Sequence, residues 1–230
     1  MSRRRYLKNQ SGSSYRKKGL SVWIDGILNS TEAAGSIVDQ TGNYTLTKLD
    51  STNTQNYSNY IQFTNTRFLI PCNDILSTNK FTIQIVYQKN NNNSGFIWSL
   101  CDPTTYLNGR VTAGHNTLNS NYWRLYFERY DYGLTDHLFS NNSQNIESVT
   151  YIRDEGFHKL YHGGYGGSQE STLYINNAGL DFVLGGYMNN NQMYESCKLY
   201  SLRIYDRVLT EKEIQDNLAV DERRFNFNVL

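Results

Sequence analysis

Few side chains in this 230-residue chain stand at the spacings that chemistry requires. Glycoside hydrolysis by paired carboxylates needs two acids facing one cleft, about 5 Å apart for retention and farther for inversion. The nearest candidates are Glu128 and Asp131 in FERYDYG. Their odd separation sends them to opposite faces of a strand, so they read as surface residues at a strand end. His158 and His162 in FHKLYHGG would share a face on a helix, but on a strand they lie roughly 13 Å apart, too far for one zinc ion. His115 and His137 have no partner at ligand spacing. GGYGGS, at 163 to 168, lacks the strand and helix that make a glycine run a phosphate cradle. No Ser/His/Asp set stands out. The residues therefore point away from an enzyme and away from a cofactor.

Binding chemistry is better represented. Aromatics make up 14% of the chain, and 19 residues are tyrosine. Tyrosine offers a rigid face with a polar tip, which suits sugar stacking and protein contact alike. Tyr106, Tyr122, Tyr126, Tyr130 and Tyr132 gather around one expected strand and its loop. They either face a ligand or partner, or alternate between filling and flanking the core.

Charge is balanced overall at +1, so no global field selects nucleic acid or a membrane as partner. Its distribution is uneven. Arg3, Arg4, Arg5, Lys8, Arg16, Lys17 and Lys18 all precede the first acid, Asp25. Residues 1–18 thus read as a basic, flexible arm able to dock on an acidic surface, and residues 19–230 as one domain. No apolar run is long enough to span a bilayer, and none follows Arg5 as a signal peptide would require. Cys72, Cys101 and Cys197, odd in number and widely spaced, fit buried reduced thiols.

The elements that would hold these residues are strands. LSVWID, FTIQIVYQ, GFIWSL, YWRLYFE, FHKLYH, STLYINN, DFVLGG and KLYSLRIY alternate, or are dense in β-branched and aromatic residues. NNNNSG at 90 to 95 and GGYGGS read as hairpin tips. In the last strand Leu202 and Ile204 would face the core, with Ser201, Arg203 and Tyr205 on the other side. Thr210 then opens a capping box with Glu213, and Leu209 is placed to staple Ile214. The expectation is an all-β antiparallel sandwich with one short C-terminal helix that covers an edge or an end of the core.

Taken in order, these pieces resemble the laminin-G-like, concanavalin A-like lectin/glucanase jelly rolls. CKLYSLRIYDRVLTEKEIQDNLAVDERRF resembles their final strand and helix, GFHKLYH their W-H-x-[VL] strand, STLYINNAG their x-L-Y-[IV]-[ND]-G hairpin, DFVLGGY the segment before the last strand, and FTIQIVYQ an early core strand. GLSVWIDG resembles the opening strand of members encoded by bacteriophages and gut bacteria. The resemblance covers roughly 19 to 225. Glucanases of this fold carry E-x-D-x-x-E on a strand, and no such stretch occurs here. Some laminin-G-like domains hold calcium in their loops, for which Asp102, Asp131 and Asp136 are the candidates beside an ordinary solvated loop.

Two functions follow from the resemblance. One is a non-catalytic virion structural protein of a tailed bacteriophage, a capsid decoration, head-fibre or tail-fibre component. It would display a lectin-like domain, with other virion proteins, further copies of itself and a host glycan as partners. The other is a bacterial carbohydrate-binding module or adhesin. A degenerate glycosidase trails both.

Overall fold

The computed structural model describes residues 14–33, 35–50, 54–90, 95–101, 110–115, 122–128, 139–140, 145–163, 165–171, 179–186 and 196–228. The elements run β1 (Leu20–Asp25), α1 (Gly26–Asn29), β2 (Thr47–Lys48), β3 (Gln55–Asn56), β4 (Ile61–Phe63), β5 (Phe68–Ile70), α2 (Asn73–Leu76), β6 (Lys80–Lys89), β7 (Gly95–Cys101), β8 (Arg110–His115), β9 (Tyr122–Glu128), β10 (Phe139–Ser140), β11 (Ile146–Asp154), β12 (Phe157–His162), β13 (Tyr165–Ser171), β14 (Asp181–Leu184), β15 (Cys197–Tyr205) and α3 (Glu211–Phe225). Every strand pairing is antiparallel. One sheet has the order β13-β12-β11-β6-β15-β4-β3, and the other β10-β9-β8-β7-β14-β5-β2. The expected all-β sandwich is the fold.

The sheets meet through one apolar core. Ile83 and Ile85 of β6, Val149 of β11, and Leu199, Leu202 and Ile204 of β15 face Phe68, Ile70, Leu100, Phe182 and Leu184 of the other sheet. Trp98 joins the layers: its ring lies 5.6 Å from Phe182 in its own sheet and 5.6 Å from Tyr151 in the opposite one. Cys72, Cys101 and Cys197 are buried free thiols, as their spacing predicted. Burial raises the Cys72 thiol well above the ordinary thiol range, which keeps it protonated.

β15 is central. One side pairs with β6 along its length, while the other is shared by β4 at Cys197–Leu199 and β1 at Ser201–Tyr205. Alternation alone suggests a strand buried on one side only, but both faces of β15 are buried, the side of Ser201, Arg203 and Tyr205 included. Arg203 and Tyr205 are fully inaccessible because α3 lies across the outer face of this sheet, not over an edge or an end. The capping box forms: Glu213 N donates to Thr210 Oγ1 and Thr210 N to Glu213 Oε2. Leu209 and Ile214 pack together with Ile152 and Tyr205.

Of the two expected hairpin tips, one holds and one is corrected. GGYGGS does open on a hairpin turn, since β12 and β13 pair antiparallel with His162 opposite Tyr165, but from Tyr165 onward the stretch is strand β13. The segment after Asn90 joins β6 to β7, which belong to different sheets, so it is a crossover and not a hairpin.

Candidate functional site

Beyond the C-terminal end of α3 the outer face of the first sheet stays partly open. Register places Gln55, Gln62, Lys198, Gln88 and Ile146 in one row across β3, β4, β15, β6 and β11. They face outward because their strand neighbours Ile61, Phe63, Leu199 and Tyr87 point into the core. From Gln55 to Gln88 the row runs roughly 14 Å. Lys198 Nζ donates to Gln88 Oε1 at 3.1 Å, and Tyr200 OH donates to the same oxygen at 3.3 Å. Gln62 Nε2 donates to the carbonyls of Phe63 and Cys197, which sets its amide along the row.

A ladder of rings stands beside this row. Phe225, the last residue of α3, meets Tyr200 edge-on at 5.5 Å, Tyr200 leans on Tyr60 at 5.7 Å, and Tyr60 stacks on Tyr57 at 4.6 Å with planes 24° apart. Tyr57 and Tyr60 close the β3–β4 hairpin. Tyr57 N donates to Tyr60 O at 2.9 Å, leaving Ser58 and Asn59 as a two-residue tip and the tyrosines as a cross-strand pair. Tyr57 OH donates to Gln55 Oε1 at 2.7 Å. Tyr57 is 42% exposed. Lys198 Nζ lies 5.2 Å from the centre of the Tyr60 ring. Burial, and then the charge of Tyr60, push the Tyr200 phenol up to about 12, so it donates at neutral pH.

What seats the ladder is buried charge. Arg203 Nη1 and Nη2 donate to Asp221 Oδ1 and Oδ2 at 2.7 and 2.5 Å, with both side chains at zero exposure. Tyr15 OH donates to Asp221 Oδ1 at 2.7 Å, and the Arg203 guanidinium lies 4.2 Å over the Tyr15 ring. Burial alone would lower the Arg203 pKa, but the charge and hydrogen bonds of Asp221 outweigh it and hold the guanidinium charged. Burial raises the Tyr15 phenol, as does Asp221 beside it. One turn earlier, Asn217 Nδ2 donates to Gln84 Oε1 and the Tyr205 hydroxyl. In the last turn Arg224 donates to Asp25 Oδ2 at 2.7 Å. Burial raises the Asp25 carboxyl, opposed by Arg224 and by the Leu28 N–H that Asp25 caps. Gly26 follows at once, and a Cβ there would stand 2.6 Å from Asn59 O and 2.7 Å from Tyr60 Cα, so only glycine lets α1 approach the tip.

Ring faces, amides that both donate and accept, and one ammonium make a surface suited to holding a ligand. Among the described residues the row carries no carboxylate pair.

The residues singled out from sequence are placed as follows. Arg3, Arg4, Arg5 and Lys8 lie outside the described residues. The described part of the arm packs on the domain: Tyr15 is buried, Arg16 pairs with Asp216, and Arg16 N donates to Asn217 Oδ1. Lys17 and Lys18 are exposed, though their carbonyls accept from Leu20 N and Arg207 Nε. Tyr106, Tyr130 and Tyr132 lie outside the described residues, as do Asp102, Asp131, Asp136 and His137. Tyr122 and Tyr126 are described only as backbone in β9, opposite Ser140 and Thr112. Glu128 and His115 are likewise known by their pairing alone. His158 and His162 do not converge. His158 is buried with Nδ1 2.7 Å from Tyr151 OH and Nε2 against Arg153, while His162 lies 3.8 Å from Glu147. No group of three metal-ligating side chains occurs among the described residues. The tyrosine ladder was not anticipated. Its signal is QNYSNYIQ, where two tyrosines bracket a pair of turn formers.

No family model matches the sequence, and no curated protein does either. Solved structures do match. The chain superposes on a Trypanosoma rangeli sialidase in complex with sialic acid with a TM-score of 0.67 at 12% identity, covering 93% of this chain and 35% of that one. It superposes on domain 4 of an extracellular arabinanase from Geobacillus stearothermophilus, in complex with arabinotriose, at 0.58 and 12%, covering 88% of this chain and all of that one. The botulinum neurotoxin serotype D binding domain matches at 0.61 and 15%, with 89% and 52% covered. The chain thus spans about a third of the sialidase and half of the neurotoxin binding domain. At such identities the likeness is one of fold. The fold is a concanavalin A-like sandwich.

Proposed function

We propose that this chain is a non-catalytic glycan-binding domain whose ligand rests on Tyr57 and Tyr60 and hydrogen-bonds the row Gln55, Gln62, Lys198 and Gln88. The observation that carries this reading is the stacked pair at the hairpin tip, half in solvent beside a row of amides. A sugar presents apolar C–H faces and a rim of hydroxyls, and rings flanked by amides answer both. Support also comes from the arabinanase domain of the same fold, solved with arabinotriose. A glycan array tests the reading, followed by titration of the strongest hit against Tyr57→Ala. Loss of one stacked ring should weaken binding by about tenfold, and the bound glycan should remain uncut on prolonged incubation. Binding that ignores Tyr57→Ala, or a glycan that is cleaved, refutes it.

Display of the domain on a tailed-phage virion is the narrower form of the proposal. It is supported by the resemblance of GLSVWIDG to the opening strand of members encoded by bacteriophages and gut bacteria, and by the basic cluster ahead of Asp25. Mass spectrometry of purified virions should find the chain in the particle. Removal of 1–13, which spares the buried Tyr15, should reduce its incorporation if Arg3, Arg4, Arg5 and Lys8 dock it.

A further inference from the structure

We infer that the ligand of the tyrosine ladder is an acidic glycan, read by Lys198. This rests on the glycan-binding reading and specifies it. Lys198 is half-buried in the middle of the amide row, with Gln62 and Gln88 as its cross-strand neighbours. Its partners are a neutral amide oxygen and the face of Tyr60. Among the described residues no carboxylate lies within ion-pair distance of it. The partly and fully buried arginines along β15 and α3 are treated differently: Arg224 has Asp25, Arg207 has Glu213 and Arg203 has Asp221.

An ammonium has three donors and is strongly hydrated, so withdrawing it partly from water without a counter-ion is unfavourable. A sheet surface that only needed to meet water would be served by another glutamine at this position, as on either side. A lysine steadied by Gln88 and Tyr60 is instead a preorganised cation beside a stacking platform. Its complement is a sugar with an anionic substituent, a carboxylate or a sulfate, while the Tyr57 ring takes the apolar sugar face.

The test is a glycan array holding neutral, uronate-containing, sialylated and sulfated glycans, read at about 50 mM and about 500 mM NaCl. The best hit is then titrated against wild type, Lys198→Gln, Lys198→Arg and Tyr57→Ala, each checked for an unchanged melting temperature. Acidic glycans should lead, and salt should weaken them several-fold. Lys198→Gln should cost about tenfold, and it should bind the acidic glycan no better than its carboxyl-reduced or desulfated form. Lys198→Arg should retain most of the affinity. Whether uronates or sulfates lead tells which anion is read. Neutral glycans that bind as well, with Tyr57→Ala disruptive and Lys198→Gln silent, would overturn this inference and leave the glycan-binding reading standing. Acidic hits indifferent to Lys198→Gln would overturn it too. An array with no hits would remove both.

Discussion

Replacing Asp221 by alanine should cost about 3–5 kcal/mol, because it leaves the Arg203 guanidinium charged where no solvent reaches it. The structure supplies the terms of that figure. Two charge-assisted hydrogen bonds of 2.7 and 2.5 Å vanish, and Tyr15 OH loses its acceptor. Arg203 cannot escape the penalty by deprotonating, since a guanidinium stays charged at any pH the fold survives. Against a total of about 5–15 kcal/mol for an ordinary domain, such a loss brings the chain close to unfolding. The control is the double variant Arg203→Met with Asp221→Leu. It removes both charges and keeps apolar volume, so it should recover most of the loss or exceed wild type. Urea unfolding followed by tryptophan fluorescence measures all of these, with Arg203→Met alone completing the cycle. A loss below about 1 kcal/mol for Asp221→Ala, or a double variant no better than the single, would mean that α3 is not seated by this pair.

Two further outcomes follow from the same region. Glu213 is held at about 2 by its hydrogen bonds with Arg207, against burial, with the Thr210 N–H adding to the effect. A depressed carboxyl stabilises the fold above its ordinary 4.5 and loses that contribution as pH falls toward 2. Glu213→Gln should therefore melt lower than wild type at pH 6, by about 1–3 kcal/mol allowing for partial exposure, and the two melting curves should converge near pH 2; parallel curves would contradict the assignment. At the hairpin tip, Gly26→Ala forces a Cβ onto the backbone of Asn59 and Tyr60. It should cost about 1–3 kcal/mol and weaken glycan binding in titration, whereas Gly156→Ala, with open space around it, should do neither.

The layered fold was legible because alternation and capping are local. KLYSLRIY and FTIQIVYQ read correctly as strands, and Thr210 with Glu213 read correctly as a helix start. Both faces of β15 being buried was not legible. Arg203 and Ser201 look like solvent residues until Asp221, 18 positions away, is brought over them. The short strands β3, β4 and β5 escaped notice because two or three residues cannot display a period. The ladder was hidden for a related reason. Tyr57 and Tyr60 are neighbours through a hairpin, but Tyr200 reaches them only through the register of β15, whose bulge between Leu199 and Ser201 places it there. Of the tyrosines nominated from sequence, density along the chain was the criterion, and density carries no information on which strands become adjacent.

The extent of α3 explains why a binding surface is left. Fifteen helical residues span about 22 Å, whereas seven strands side by side extend over roughly 29 Å between the outermost axes. One helix cannot cover the sheet. Where it stops, the strands need side chains that tolerate water, and Gln55, Gln62 and Gln88 meet that need. Tyr57 does not. At 42% exposure it leaves much of its ring in water, and a smaller polar residue would close the same two-residue tip. Folding thus accounts for Phe225 and Tyr200, which are buried under the helix end, and for Tyr60, which packs against them, but not for the outermost ring, Tyr57. The Tyr57 ring, backed by three others and yet left facing solvent, is the one that the proposed ligand would cover. Alanine at Tyr57 should accordingly change stability by less than about 0.5 kcal/mol while affinity falls; a variant that unfolds without losing affinity per folded molecule would return the ladder to the core.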